Sequence, residues 1–82
     1  MSLPHLQLLS RRGCCLCDEA APVVQSVAAA GLCSWERVDV DRDKALLLRY
    51  GNDVPVLLID GVEWCRHRID AALLRDRLAA MA

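Results

Sequence analysis

Phenylalanine is absent from this chain and tyrosine occurs once. The core must therefore be aliphatic, built from Leu, Val and Ala, within a composition that is 55% hydrophobic. Long apolar runs are missing as well. No stretch approaches the roughly 20 residues that a membrane-spanning helix needs. The N-terminus lacks the charged start and continuous apolar segment of a secretory leader. A cytoplasmic location, with no membrane partner, is therefore expected. An excess of one charge is also missing: ten basic and eleven acidic residues are interspersed, for a formal net charge of −1. No basic stripe follows a phosphate backbone, so nucleic acid is not an expected partner. Arg11-Arg12 and Arg66-His67-Arg68 are too short to alter that, although they can attract a small anion or an acidic peptide. Repeats, low-complexity segments and long linkers are absent. The 82 residues make one domain, 1–82, of a size that buries only a modest fraction of its surface.

Against these absences stand five cysteines. In a reducing compartment structural disulfides are rare, and cysteines point to redox chemistry or metal binding. The odd count argues against a fully paired disulfide scaffold.

Hydrophobic spacing divides the chain into seven elements. His5–Ser10 reads as a strand, with Leu6 and Leu8 on one face and Leu9 on the other. Cys15 to about Ala30 reads as a helix, because Cys17, Ala20, Ala21, Val24, Val27 and Ala28 recur at helical spacing. Pro22 lies inside it and is expected to kink or interrupt it, since proline clashes with the carbonyl four residues back. Trp35–Val40 is a second strand. Asp41 is expected to cap a short helix from Arg42 to about Tyr50, ending at Gly51. Val56–Ile59 is continuously apolar and reads as a buried central strand. Asp60-Gly61 signals a hairpin turn, and Val62–Cys65 is the return strand. A last helix runs from about Asp70 to Met81, with Ala71, Leu74, Leu78 and Met81 on one side. The order is β-α-β-α-β-β-α. It implies a parallel first pair, an antiparallel last hairpin and an α/β fold with helices on both faces of a four-stranded mixed sheet.

The chemistry concentrates at the first strand–helix junction, in Cys14-Cys15-Leu16-Cys17. Side chains three apart on a helix lie roughly 5–6 Å apart. A disulfide needs Cα atoms about 4.4–6.8 Å apart, so Cys14 and Cys17 can close and open with little backbone movement. The helix N-terminus carries partial positive charge and free N–H groups, which stabilise a thiolate. Cys14, more exposed and nearer those groups, is the expected nucleophile, and Cys17, one turn in, the resolving thiol. Arg11 and Arg12 are expected to add positive charge near the thiolate. Asp18 and Glu19 favour the helix terminus but oppose the thiolate. A second signal is Val54-Pro55, directly before the buried strand. X-Pro bonds are the ones that can be cis, although trans is the commoner state.

Together these residues resemble the thioredoxin superfamily, and within it a small bacterial glutaredoxin-like family with a C-x-L-C-D-E centre. The likeness runs through Leu8 to Ala20, Val38-Asp39-Val40-Asp41, Asp53-Val54-Pro55-Val56-Leu57 and Asp60-Gly61, nearly the whole chain. It implies a thioredoxin-like fold, a Cys14–Cys17 redox pair and a cis bond at Val54-Pro55. It also implies thiol–disulfide exchange with protein or small-molecule disulfides. Arg12, Val54, Pro55, Arg68 and Asp70 form the candidate substrate-binding set, with Arg68 meeting a carboxylate and Asp70 an amine. No bound cofactor is expected. Electrons would come from glutathione or from a donor of the thioredoxin-reductase type, and the protein is expected to be a monomer. The glycine pair that glutaredoxins carry after the last strand is replaced here by Arg66-His67-Arg68-Ile69-Asp70.

Two rival readings remain. Cys14, Cys15 and Cys17 could bind a metal, with Cys33, Cys65 or a histidine as fourth ligand, or share an iron–sulfur cluster between two copies. A non-catalytic binding module is the other. Cys15 reads as a tolerated small side chain, Cys33 and Cys65 as packing residues, and His5 and His67 as surface residues.

Overall fold

The computed structural model describes residues 3–81. Four strands form one sheet: β1 (His5–Ser10), β2 (Ser34–Asp39), β3 (Val56–Ile59) and β4 (Val62–Arg66). Three helices accompany them: α1 (Cys15–Ala29), α2 (Lys44–Tyr50) and α3 (Ala71–Met81). The strand order is β2-β1-β3-β4. β1 and β2 run parallel, and the β1–β3 and β3–β4 pairs run antiparallel. The expected element order and mixed four-stranded sheet are both present. None of the helices among the described residues is long and apolar enough to cross a membrane.

Strand alternation sends successive side chains to opposite faces, and β1 shows it directly. Leu6 and Leu8 join Val24, Val27, Leu57, Leu74 and Leu78 in a core beneath α1 and α3. Leu9 joins Val40, Tyr50, Val56 and Leu58 on the other face, beneath α2. β1 and β3 are the two interior strands, which is why β3 is buried at all four positions.

Several boundaries differ from the sequence reading for local reasons. α1 is continuous through Pro22, so the interruption expected there does not occur. Pro22 and Asp18 both lie on the exposed side, where solvent can hydrate the carbonyl that the proline leaves without a donor. Asp41 does not cap α2. Val40–Arg42 form a separate 3-10 turn, and Asp43 caps the helix, its Oδ1 accepting from the backbone N–H groups of Ala45 and Leu46 at 2.9 and 3.2 Å. Gly51 ends α2 as expected; a β-carbon there would lie 2.5 Å from the Leu47 carbonyl oxygen. β4 extends one residue further, to Arg66, because a bulge between Leu57 and Leu58 shifts its register. The hairpin turn has φ of 50° at Asp60 and 84° at Gly61, the pair of positive values that a two-residue type I′ turn requires.

The register defines two ends of the sheet. Ser10 lies opposite Asp39, Leu9 opposite Val56, and Val56 opposite Arg66. The segments 11–14, Val54-Pro55 and 67–70 therefore all emerge at one end. At the other end the His5 carbonyl accepts from the Asp60 N–H, and Met81 borders a groove with Ile59, Asp60 and Val62.

Candidate functional site

Gly13, with φ of 72°, turns the chain out of β1 and into α1. Cys14 then takes an extended conformation as the N-cap of α1. Its Sγ accepts a hydrogen bond from the Cys17 backbone N–H at 3.3 Å, the role a Ser or Asp side chain plays at most helix starts. Cys14 is half-buried, Cys15 exposed and Cys17 fully buried. All five cysteines are free thiols.

Burial pushes the Cys17 thiol up to about 11, helped by its hydrogen bond with Cys14 and by that neighbour's charge. The Arg11 backbone and the Arg37 charge act in the opposite direction. Cys65 is likewise pushed up to about 11 by burial and by the nearby Glu63, and burial raises Cys33. These shifts couple to stability. The folded state holds the Cys17 and Cys65 protons more tightly than an unfolded chain, whose thiols titrate near 9.0. That stabilisation is complete below pH 9 and is lost as pH rises through about 11. The urea midpoint of the reduced protein is therefore expected to fall across that interval. A midpoint that stays level there would contradict the buried-thiol assignment.

The remaining residues singled out in the sequence divide between two depressions. Arg12 is exposed and lines a cleft with Ser10, Arg11, Arg37 and Asp39. Arg11 is committed elsewhere: its Nε pairs with Asp41 at 3.1 Å and its Nη1 donates to the Gly51 carbonyl at 3.4 Å. Arg68 lines a different groove, with Leu16, Glu19, Ala20, Val23 and His67. The Val54-Pro55 bond is cis, and Pro55 is fully buried. The Pro55 carbonyl accepts from the His67 N–H at 2.7 Å, which ties the loop after β4 to the start of β3. Asp70 caps α3, its Oδ1 accepting from the N–H groups of Ala72 and Leu73 at 2.8 and 3.0 Å.

Two features of this end carried no sequence signal. His67 adopts φ of 71°, a left-handed conformation in a residue other than glycine, and its Nε2 lies 3.8 Å from Asp53. Arg37 reaches from β2 across to α1. Its Nε donates to Ser10 Oγ at 3.0 Å and its Nη2 to Asp18 Oδ1 at 2.9 Å.

Among the described residues no three His, Cys, Asp or Glu side chains are grouped to hold an ion. Cys15 faces solvent while Cys17 is buried, and Cys33 and Cys65 pack with the core beneath α1 and α3.

Comparison with known proteins bears on the same arrangement. Residues 5–79 match the family described as Glutaredoxin-like domain (DUF836). A Dictyostelium discoideum protein described as glutaredoxin-like is 32% identical over 72 residues, covering 80% of this chain and 67% of its own length. A solved structure from X. campestris is 36% identical, with a TM-score of 0.62 over 92% of this chain and 96% of that one. A mutant thioredoxin from Halobacterium salinarum is 27% identical, with a TM-score of 0.71 over 96% of this chain and 74% of that one. With the family matched over nearly the whole chain and the sheet superposing on a thioredoxin, this protein belongs to the glutaredoxin-like domain family of the thioredoxin superfamily.

Proposed function

We propose that the protein is a thiol–disulfide oxidoreductase in which Cys14 is the nucleophile and Cys17 the resolving thiol. The observation that carries this reading is the 3.3 Å hydrogen bond from the Cys17 N–H to Cys14 Sγ at the N-cap of α1. That bond holds Cys14 Sγ at the start of α1, one turn from Cys17, where it can attack as the thiolate and then be reached by Cys17. Cys14 attacks one sulfur of a substrate disulfide, and the other substrate sulfur leaves as a thiolate and is protonated. Cys17 then gives up its proton and attacks Cys14 Sγ. The remaining substrate thiolate is released, and two electrons have passed from the dithiol to the substrate. Once Cys14 is in the mixed disulfide it no longer carries charge. One cause of the raised Cys17 titration then disappears, so deprotonation of Cys17 is favoured at the stage that needs it.

In this reading Val54 presents its backbone to an extended substrate beside buried Pro55, and Arg12 and Arg68 meet carboxylates from their two depressions. Asp70, at the start of α3, meets an amine. The substrates are protein or small-molecule disulfides. The electrons come from glutathione or a thioredoxin-reductase-type donor, and the protein works as a cytoplasmic monomer without a bound cofactor. The test is a redox titration of the whole chain against glutathione buffers, with mass spectrometry identifying the bonded cysteines. A reversible Cys14–Cys17 disulfide is expected. A dominant Cys15–Cys17 or Cys14–Cys33 bond would overturn the reading.

A further inference from the structure

We propose that Arg37 is a positioning residue for the resolving step: its guanidinium, clamped between Ser10 and Asp18, holds positive charge beside the helix turn that carries Cys17. This rests on the dithiol reading above and adds to it a residue from a distant strand.

The geometry is specific. Arg37 lies on β2, opposite Leu8 of β1, on the face that α1 covers. Its Nε donates to the hydroxyl of Ser10, the one buried polar side chain among the described residues, at 3.0 Å. Its Nη2 pairs at 2.9 Å with the carboxylate of Asp18, the residue after Cys17. Two anchors on two elements fix the planar fork, which a single flexible ammonium could not match. The groups acting on Cys17 are the Cys14 thiol at the N-cap, the Arg11 backbone from the preceding loop and Arg37 from β2. Of the side chains, Arg37 alone favours the thiolate.

In the resolving step the Cys17 thiol passes its proton to water and its sulfur bonds to Cys14 Sγ. The bond between Cys14 and the substrate sulfur breaks, and that sulfur leaves with the electron pair and is protonated. The protein dithiol is oxidised by two electrons and the substrate disulfide is reduced. Negative charge appears on Cys17 in this step, where a fixed cation helps.

The test uses the full chain in a Cys15→Ser background, so that no other exposed thiol competes. The probe is 4,4′-dithiodipyridine, an uncharged aromatic disulfide without a carboxylate, whose released thiopyridone absorbs in the ultraviolet. The first equivalent reports attack by Cys14 and the second reports resolution by Cys17. Removing the Arg37 charge raises the Cys17 titration, and the lower thiolate fraction is only partly offset by the higher basicity of the thiolate that remains. Arg37→Gln is therefore expected to slow the second phase about two- to threefold and to leave the first phase unchanged. The Cys17 midpoint, read by carbon-13 NMR of labelled cysteine, should rise. Arg37→Lys keeps the charge and should recover about half of the second-phase rate.

An unchanged second phase and midpoint in Arg37→Gln, or Arg37→Lys no better than Arg37→Gln, would overturn the proposal. Should Arg37→Gln fail to fold, Arg37→Met, which keeps the apolar stem without the charge, carries the same two readouts; an unchanged second phase and midpoint there overturns the proposal. A parent protein with no second phase at all would instead sink the dithiol reading.

Discussion

A Cys14→Ser variant is expected to keep its fold and to lose disulfide exchange down to background. The two halves of that expectation have separate causes. Cys14 is the N-cap of α1, and its sulfur accepts from the Cys17 N–H at 3.3 Å. Serine is among the best N-cap residues, because its hydroxyl oxygen accepts the same backbone donor at a better length. Urea denaturation of the reduced variant should therefore show stability equal to the parent or slightly higher. Exchange, in contrast, requires a thiolate, and a serine hydroxyl does not ionise at neutral pH. Assaying reduction of a small aromatic disulfide alongside the urea curve separates the two effects. Substantial remaining turnover would transfer the nucleophile's role to the exposed Cys15. The complementary Cys17→Ser variant should stop after one event, with the substrate held on Cys14 and visible by mass spectrometry.

Leu8→Ala should destabilise the domain by about 2–5 kcal/mol, the usual range for truncating a buried leucine to alanine. Leu8 has no solvent exposure and lies on interior strand β1, between Arg37 of β2 and Leu57 of β3. Its side chain belongs to the core shared by α1, α3 and the sheet. The residues buried in this core are aliphatic or cysteine, and Trp35 and Trp64 pack only from its margin, so the cavity is not readily refilled. At roughly 0.05–0.15 kcal/mol per residue a domain of this size has about 4–12 kcal/mol in total. The substitution therefore removes a large share, and thermal unfolding followed by circular dichroism should show a fall in Tm of many degrees. The same cut at Leu48, which is 88% exposed, should leave the Tm nearly unchanged. Equal effects at the two positions would contradict the core assignment.

Most of the fold is legible in the residue order because its elements are short and strongly patterned. Leu6, Leu8 and Leu9 divide between the two faces of β1 as alternation requires. The Asp60-Gly61 pair specifies its turn through chain chirality alone. Asp-Arg-Asp at 41–43 offers two capping carboxylates two residues apart, and only the path of the backbone through the 3-10 turn decides for Asp43. The bulge that lengthens β4 depends on how β3 sits beside it, which no local pattern encodes.

The site divides in the same way. Cys14, Cys17 and Pro55 stand out by spacing and residue type. The Arg37 clamp links residues that are 27 and 19 positions apart, and a charged residue on a strand reads as solvated until the partner helix is in place. His67 illustrates the limit for backbone conformation. A histidine carries no local indication that its φ will be positive; its N–H is held by the carbonyl of Pro55, a residue outside its own segment.

The separation of the two sheet ends has a practical consequence. His5 begins β1 beside the Asp60 turn, and Met81 closes α3 beside Ile59 and Val62. Both ends of the described chain thus emerge on the side away from Cys14. A tether joined beside His5 or Met81, to a bead, an electrode or a fused reporter, leaves the Cys14 end of the sheet facing outward into solution. Immobilised protein should therefore meet bulky disulfides as freely as dissolved protein does.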